Sequence, residues 1–197
     1  MGITLRQFEQ LQGRARRQAP AREAAADASP VHSIILGIDP SVRGTGYGVL
    51  RLEKRKPTAL AHGTVHCPAS WTRSRCLAQI ARTIREQIQK HQPTVCIVEG
   101  LFYAQNFQTA LIMGEARGAS LVAAAEAGLE IFEIAPRKVK QAVVGYGAAQ
   151  KLAVAKMVQR MLNLPEPPEA DAADALALAL AFTQTNSRYS LEQPKRV

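Results

Sequence analysis

The chain has 197 residues, with 25 Lys and Arg against 16 Asp and Glu, a formal net charge of +9 and a pI of about 9.9. This length suits one folded domain with tails, and so basic a composition favours nucleic acid as the partner over the substrates of an ordinary metabolic enzyme. No apolar run approaches the roughly 18 residues that cross a bilayer, and no signal-peptide core is present, so we expect a cytoplasmic protein without a membrane partner.

Three cysteines occur without the spacing of a disulfide framework or a zinc site. They are Cys67, Cys76 and Cys96. We interpret them as free thiols in a reducing compartment.

The two ends of the chain differ in composition from its middle. Residues 1–32 are rich in Arg, Ala and Pro and are predicted to form a basic, flexible arm with a short helix over 4–17. The folded domain is predicted to span 33–184. The C-terminal tail, 185–197, carries no pattern that predicts an element.

Within the domain, hydrophobic periodicity predicts strands first and then alternating strands and helices. The predicted strands are 34–38, 47–52, 58–66, 95–98 and 130–135. The predicted helices are 70–91 with Ser70 as N-cap, 106–128, 136–144, 149–162 and 169–183. The first three strands should form an antiparallel meander. The whole order predicts an α/β fold, a mixed five-stranded sheet flanked by helices.

Four carboxylates stand at positions typical of a divalent-metal site. Asp39 and Glu99 each follow directly on an apolar strand, where open α/β sheets bind ligands. Asp171 and Asp174 are spaced i,i+3 on an Ala-rich helix and therefore project from one face. Since buried like charges repel, a cation is the usual remedy. An oxygen-only set without Cys or His suits Mg²⁺.

Six short motifs follow one another along the chain. They are Gly37-Ile38-Asp39-Pro40, Thr45-Gly46-Tyr47-Gly48, Val98-Glu99-Gly100-Leu101-Phe102, Gly114-Glu115-Ala116-Arg117-Gly118, Val139-Lys140-Gln141-Ala142-Val143-Val144-Gly145 and Ala170-Asp171-Ala172-Ala173-Asp174-Ala175-Leu176-Ala177. In this order they closely resemble the RuvC family of Holliday-junction resolvases, over roughly residues 33–183.

The resemblance implies a ribonuclease H-like fold, a homodimer, and paired nicking of four-way DNA junctions during homologous recombination and repair. It implies that the four carboxylates are catalytic and hold two Mg²⁺ ions, for which Mn²⁺ could substitute. A RuvA–RuvB-type branch-migration complex is implied as a further partner. Gly114 and Gly118 permit close approach of another backbone, and the resemblance places their helix near the dimer interface.

Six further residues are candidates for DNA binding. They are Phe102, Arg117, Arg137, Lys138, Lys140 and Lys151. Phe102 could stack on an unpaired base or pack in the fold. Lys140 and Lys151 best match the positions that the family uses against the DNA backbone, where lysine gives salt-dependent affinity without reading sequence. Arg117 could contact either a phosphate or a carboxylate. His62 and His66 are interpreted as surface residues of a strand rather than as metal ligands.

Other functions remain as alternatives to junction resolution. A ribonuclease H-like nuclease of other specificity, an RNase or a YqgF-type relative, would use the same chemistry. A non-catalytic junction-binding module is a third hypothesis, against which the four acids argue. Gly37-Ile38-Asp39-Pro40 also resembles the first phosphate loop of actin-like ATPases and sugar kinases, but this chain is too short for the second half that those proteins need.

Overall fold

The computed structural model describes residues 32–54, 56–100, 107–185 and 194–197. The predicted N-terminal arm with its helix at 4–17, and Phe102, lie outside the described residues. Among the described residues, no helix is both long enough and apolar enough to span a bilayer.

One mixed sheet of six strands forms the centre of the fold, in the order β3-β2-β1-β4-β5-β6. The strands are β1 (Ile34–Asp39), β2 (Gly44–Glu53), β3 (Lys56–His66), β4 (Val95–Glu99), β5 (Glu130–Ile134) and β6 (Lys195–Arg196). The predicted antiparallel meander of β1, β2 and β3 is confirmed, while β4 lies parallel to both β1 and β5.

The predicted strand number of five is one too low. β6 pairs antiparallel with β5 at the edge of the sheet, in the tail to which the sequence assigned no element. Its two residues are polar and exposed, so they carry no hydrophobic alternation. Their strand conformation depends on the unpaired edge of β5.

Five helices are present in the described ranges. They are α1 (Arg73–His91), α2 (Phe107–Glu126), α3 (Pro136–Val144), α4 (Lys151–Leu162) and α5 (Ala170–Thr185). The prediction that Ser70 caps α1 is wrong, since the cap position is Thr72. The Trp71 amide donates instead to the Pro68 carbonyl, 3.0 Å away, in a turn that precedes the helix.

The sheet separates two hydrophobic cores because successive strand residues face opposite sides. Ile35 in β1 and Ile97 in β4 pack with α3, α4 and α5 on one side. Leu36 and Val98 pack with α1 and α2 on the other side. By this alternation, the side chains of Asp39 and Glu99 belong to the side of α5.

Glycines in β1 and β2 let α5 lie directly on the sheet. A Cβ at Gly37 would overlap the carbonyl oxygen of Ala175, and one at Gly46 would overlap that of Asp171. A Cβ at Gly48 would lie 2.7 Å from Leu176 Cδ2. Larger residues at these three positions would hold α5 away from the sheet. The glycines therefore allow the start of α5 to lie close to the strand ends.

Candidate active site

Asp39 and Glu99 are the last residues of two neighbouring parallel strands. The register pairs Ile38 with Val98, so the two acids stand side by side one residue further along. The two carboxylates are close enough to act on each other electrostatically. The convergence predicted from the two strand ends therefore has a direct structural basis.

Helix α5 adds Asp171 and Asp174 from its first turns. A Cβ at Gly44 would lie 2.6 Å from Asp171 Oδ2, so the missing side chain leaves room for this carboxylate above β2. Asp174 is the more buried of the two acids of α5. Both Asp171 and Asp174 act electrostatically on Asp39, which brings acids from three distant stretches into one cluster.

The cluster is strongly anionic for its degree of burial. Burial, and then the negative charges of Glu99 and Asp174, raise the pKa of Asp39 from its ordinary 3.8 to about 8. Burial and the charge of Asp174 also raise the pKa of Glu99. For Asp174, burial raises the pKa although the nearby Lys151 ammonium opposes it. The carboxylates therefore favour any bound cation.

The Lys151 ammonium contacts two acids of this cluster, although 62% of its side chain is exposed. Its Nζ is 3.2 Å from Asp174 Oδ2 and 3.6 Å from Asp171 Oδ1. Desolvation is the largest single influence and lowers the pKa of this ammonium, but the contacts with Asp174 and the charges of Asp171 and Asp39 together outweigh it, so the net pKa is raised. Lys140 on α3 lowers the pKa of both Glu99 and Asp174. Lys140 and Lys151, two of the three lysines predicted to bind DNA, thus act directly on the charge of the acids.

Two further basic candidates lie at the start of α3. Arg137 and Lys138 are exposed. Arg137 also packs on Gly147, where a Cβ would overlap its Cγ, so the loop before α4 is folded against this side chain.

The donor chemistry of the cluster fits a hard divalent cation. All four acids offer only oxygen, as Mg²⁺ prefers. No three Asp, Glu, His or Cys side chains in the described part of the chain are arranged to hold one ion as they stand. Instead, the Lys151 ammonium partly compensates Asp171 and Asp174. The raised pKa values of Asp39 and Glu99 indicate that this compensation is incomplete.

Arg117, which the sequence placed among the DNA-binding candidates, is 7% exposed. Its Nη1 donates to the main-chain carbonyl of Glu99, and its Nη2 lies 2.8 Å from Glu133 Oε2. Of the two predicted contacts, a carboxylate is therefore the one observed. A guanidinium enclosed in this way is not presented to a phosphate, so we leave Arg117 out of the DNA contacts proposed below.

His62 and His66 lie on β3 and are exposed, as predicted for surface residues. His66 Nε2 is 3.0 Å from Glu169 Oε2, just before α5. The two histidines line a groove between β3 and residues 164–169, and none of the four clustered acids lines it.

Comparison with known proteins adds a family to this geometry. The family model of the crossover junction endodeoxyribonuclease RuvC matches residues 35–182, well over half of the chain. The chain belongs to the RuvC family.

Two relatives show how completely the chain covers members of the RuvC family. The crossover junction endodeoxyribonuclease RuvC of Akkermansia muciniphila is 49% identical over 146 residues, which are 74% of this chain and 87% of the relative. That of Vibrio parahaemolyticus is 47% identical over 154 residues, 78% of this chain and 88% of the relative.

Solved structures extend the comparison to the fold. Thermus thermophilus RuvC in complex with a Holliday junction substrate superposes with a TM-score of 0.75 at 32% identity, over 84% of this chain and 100% of that one. The yeast mitochondrial Holliday junction resolvase, at 14% identity and a TM-score of 0.54, covers 81% of this chain and 84% of its own and shares the fold alone. The predicted ribonuclease H-like α/β fold of the RuvC family is confirmed.

The sequence interpretation missed several residues that shape this site. Gly46 and Gly48 appeared only as parts of a motif, whereas they admit α5 to the sheet. Glu133 was not singled out, although it pairs with Arg117. A charged residue inside an otherwise apolar strand was the available signal, because such residues are rarely buried without a partner.

Proposed function

We propose that this protein resolves four-way DNA junctions by paired, metal-dependent nicks during homologous recombination and DNA repair. The observation that carries the proposal is the convergence of Asp39, Glu99 and the acids of α5 in a chain of the RuvC family. The structure of the Thermus thermophilus relative with a Holliday junction supports the substrate.

We propose that Asp39, Glu99, Asp171 and Asp174 hold two Mg²⁺ ions, with Mn²⁺ as a substitute. Bound there, the ions would activate water and stabilise the leaving oxygen of a phosphodiester. The water oxygen forms a bond to phosphorus while the bond from phosphorus to the leaving oxygen breaks, and the leaving oxygen ends as a hydroxyl. The four side chains fix the site by their places on two strand ends and one helix.

Lys140 and Lys151 are proposed to attract the phosphates that flank the cut. Their ammonium groups already interact with the acids, so they counter the repulsion between the acids and an approaching DNA strand. Arg137 and Lys138 are exposed beside them and extend the positive surface. Phe102 is proposed to stack on a base at the junction centre, on the resemblance alone.

A homodimer is proposed to form through one face of α2. Phe107, Leu111 and Val122 are 78%, 53% and 51% exposed and share this face by helical spacing. Gly114 and Gly118 lie between them, and in the described part of the chain a Cβ added at either glycine would meet no atom within 4 Å. A second copy of this face would bury the apolar residues and use the glycines for close helix approach. Two copies supply the two active sites that paired nicks need.

Delivery of the junction by a RuvA–RuvB-type branch-migration complex is proposed on the family resemblance. A cytoplasmic location is supported by three cysteines that are buried and reduced.

The proposal is tested by nicking assays on a synthetic four-way junction, a linear duplex of the same sequence and an RNA·DNA hybrid. We expect Mg²⁺-dependent nicks in the junction only. Preferred cleavage of the hybrid would favour the RNase alternative, and binding without nicking would favour a junction-binding module.

The residue roles are tested with Glu99→Gln and Asp174→Asn. Each is expected to lower the nicking rate by at least about 10³-fold, as loss of a metal-binding acid removes most of the chemistry, while junction binding is retained. Glu86→Gln, on the exposed side of α1, is the matched control and should nick like the wild type. Retained nicking by the first two variants would remove these acids from the proposed site.

A further inference from the structure

We infer that Arg117 and Glu133 are positioning residues for Glu99, and that the C-terminal strand β6 secures Glu133. This inference rests on the proposed function. It gives a catalytic consequence to a buried ion pair and to a tail that lie outside the carboxylate cluster.

The first step is the contact between Arg117 and the main chain of Glu99. Arg117 extends from α2, on the side of the sheet opposite to α5, and donates to the Glu99 carbonyl oxygen. The Glu99 carboxylate belongs to the other side, with Asp39. The Arg117 guanidinium therefore holds the main chain of Glu99 from the α2 side of the sheet, while the Glu99 carboxylate faces the cluster on the α5 side.

The second step is the place of Glu99 in the sheet. It is the last residue of β4, and the next amide, that of Gly100, donates to the Ile134 carbonyl oxygen 3.0 Å away. Among the described residues, this is the last main-chain hydrogen bond between the end of β4 and β5. The Arg117 hydrogen bond therefore fixes the peptide that carries the carboxylate, against repulsion from Asp174. A displacement of about 1 Å at such a group is enough to cost roughly 100-fold in rate.

The third step concerns the ion pair itself. Arg117 and Glu133 are largely enclosed, with 9% and 24% of their side chains exposed. A buried ion pair of this kind adds little net stability compared with apolar residues of similar size. The guanidinium is planar, so its bond to Glu133 fixes the direction in which the other Arg117 donors point. We therefore assign the pair a role in position rather than in stability.

The last step connects the tail. β6 pairs with β5 so that Lys195 lies opposite Glu133. Lys195 Nζ is 3.2 Å from Glu133 Oε1, while Arg117 takes Oε2. Arg196 Nη2 lies 3.2 Å from Glu130 Oε1, and the Val197 amide donates to the Ile131 carbonyl at 3.0 Å. Both oxygens of Glu133 are thus engaged, one by the site and one by the tail.

The experiment measures junction nicking by Arg117→Lys, Glu133→Gln and Lys195→Ala under multiple turnover. Arg117→Lys keeps the charge and loses the fork, so we expect kcat to fall at least about 10-fold with KM within about twofold. The Mg²⁺ concentration for half-maximal rate should rise, because Glu99 is displaced. Glu133→Gln should lower kcat about threefold to 10-fold, and Lys195→Ala less than about threefold, because its exposed ion pair is weak.

A matched pair separates position from general stability. Arg85 Nε lies 2.8 Å from Glu126 Oε2, the same distance as in the Arg117 pair, but both side chains are exposed and join α1 to α2. The double variant Arg85→Met/Glu126→Gln should keep wild-type kcat and Mg²⁺ dependence. The double variant Arg117→Lys/Glu133→Gln should be no slower than Arg117→Lys alone, since both changes break one connection.

The outcomes distinguish this inference from the proposed function. Wild-type protein that fails to nick junctions overturns the proposed function and this inference with it. Nicking by the wild type, together with wild-type kcat and Mg²⁺ dependence in Arg117→Lys, overturns the inference alone. Should Arg117→Lys fail to fold, Glu133→Gln and Lys195→Ala carry the test: unchanged kcat and Mg²⁺ dependence in Glu133→Gln would also overturn it.

Discussion

Helices α5 and α2 lie on opposite sides of the same sheet and use glycine in opposite ways. Beneath α5, Gly37 and Gly46 belong to the strands, and the main chain of the helix fills the space that their side chains would take. On α2, Gly114 and Gly118 belong to the helix itself, and a Cβ added at either would meet no atom of the described residues within 4 Å. Glycine therefore allows close packing of α5 on the strands, whereas on α2 it leaves the helix face open.

This difference explains how the same sheet supports both the carboxylate cluster and the exposed apolar face of α2. Close packing of α5 on the sheet brings Asp171 and Asp174 to the strand ends of Asp39 and Glu99. The open face of α2 has no such partner within the described part of the chain, and its apolar residues remain exposed. Arg117 connects the two regions, since it extends from α2 to the main chain of Glu99.

The largest expected effect comes from adding one methyl group under α5. In Gly46→Ala the new carbon would overlap the Asp171 carbonyl oxygen, so the main chain of the strand or of the helix must shift. Overpacking costs about 1–3 kcal/mol or more, so we expect a loss of about 3 kcal/mol in the free energy of unfolding and loss of nicking. Urea unfolding and the junction assay measure the two effects.

Gly118→Ala is the matched change on α2. No atom of residues 32–54, 56–100, 107–185 or 194–197 lies within 4 Å of its added carbon, and alanine is favoured over glycine in a helix by about 0.5–1 kcal/mol. At a concentration where the protein is monomeric, its free energy of unfolding should therefore not fall. Equal destabilisation by both substitutions would contradict the comparison.

The second prediction sharpens the open face of α2. Leu111→Asp places a charge among exposed apolar residues, so a dimer formed there should dissociate at least about 10-fold more readily. Sedimentation measures the association, and the junction assay should show single nicks in place of paired ones. Ala78→Asp adds the same charge at an exposed position of α1 and should leave association unchanged. A dimer that survives Leu111→Asp is formed by another surface.

The third prediction concerns the pH dependence of the α5 side. Since the pKa of Asp39 is raised from 3.8 to about 8, mainly by burial, the folded state binds more protons than the unfolded state between these values. The free energy of unfolding contributed by this group is full below about pH 4 and is lost as the pH rises through 8. Metal-free wild type should therefore have a lower Tm at pH 8 than at pH 5.

Asp39→Asn removes the titrating group and should reduce this loss. Melting curves in EDTA at both pH values give the comparison, with Glu86→Gln as the control for loss of an exposed carboxyl. Added Mg²⁺ should raise the wild-type Tm at pH 8 more than that of Asp39→Asn. If the Tm of the wild type and of Asp39→Asn depended equally on pH, the Asp39 carboxyl would not be the group that causes this pH dependence.

The smallest expected effect is that of a single phosphate contact. Lys140→Ala should weaken junction binding and reduce the slope of log affinity against log salt by about 1. Fluorescence anisotropy over a salt series measures the slope. Gln141→Ala, at the next and exposed position of α3, should leave it unchanged. An unaltered slope in Lys140→Ala would remove this lysine from the phosphate contacts.

Most of the fold was predictable because its elements carry strong local signals. Helix α3 was predicted with its observed bounds, since Pro136 starts it and Gly145, with a φ of 96°, ends it. The buried apolar runs of β1 and β4 are likewise strong local signals, and they predicted these two strands. The start of α1 was wrong because the preceding turn uses Ser70, and β6 was missed because an edge pairing leaves no pattern in two polar residues.

The acids of the candidate site were also predictable from local patterns, whereas the contacts made to them by distant side chains were not. Strand and helix periodicity are local patterns, and they were enough to predict that acids follow two apolar strands and share one face of a final helix. The packing of the elements was needed to show that Arg117 turns inward to Glu99 and Glu133, and that Lys151 contacts both acids of α5. Such contacts join residues far apart in the chain, so they depend on strand register and helix packing rather than on any local pattern.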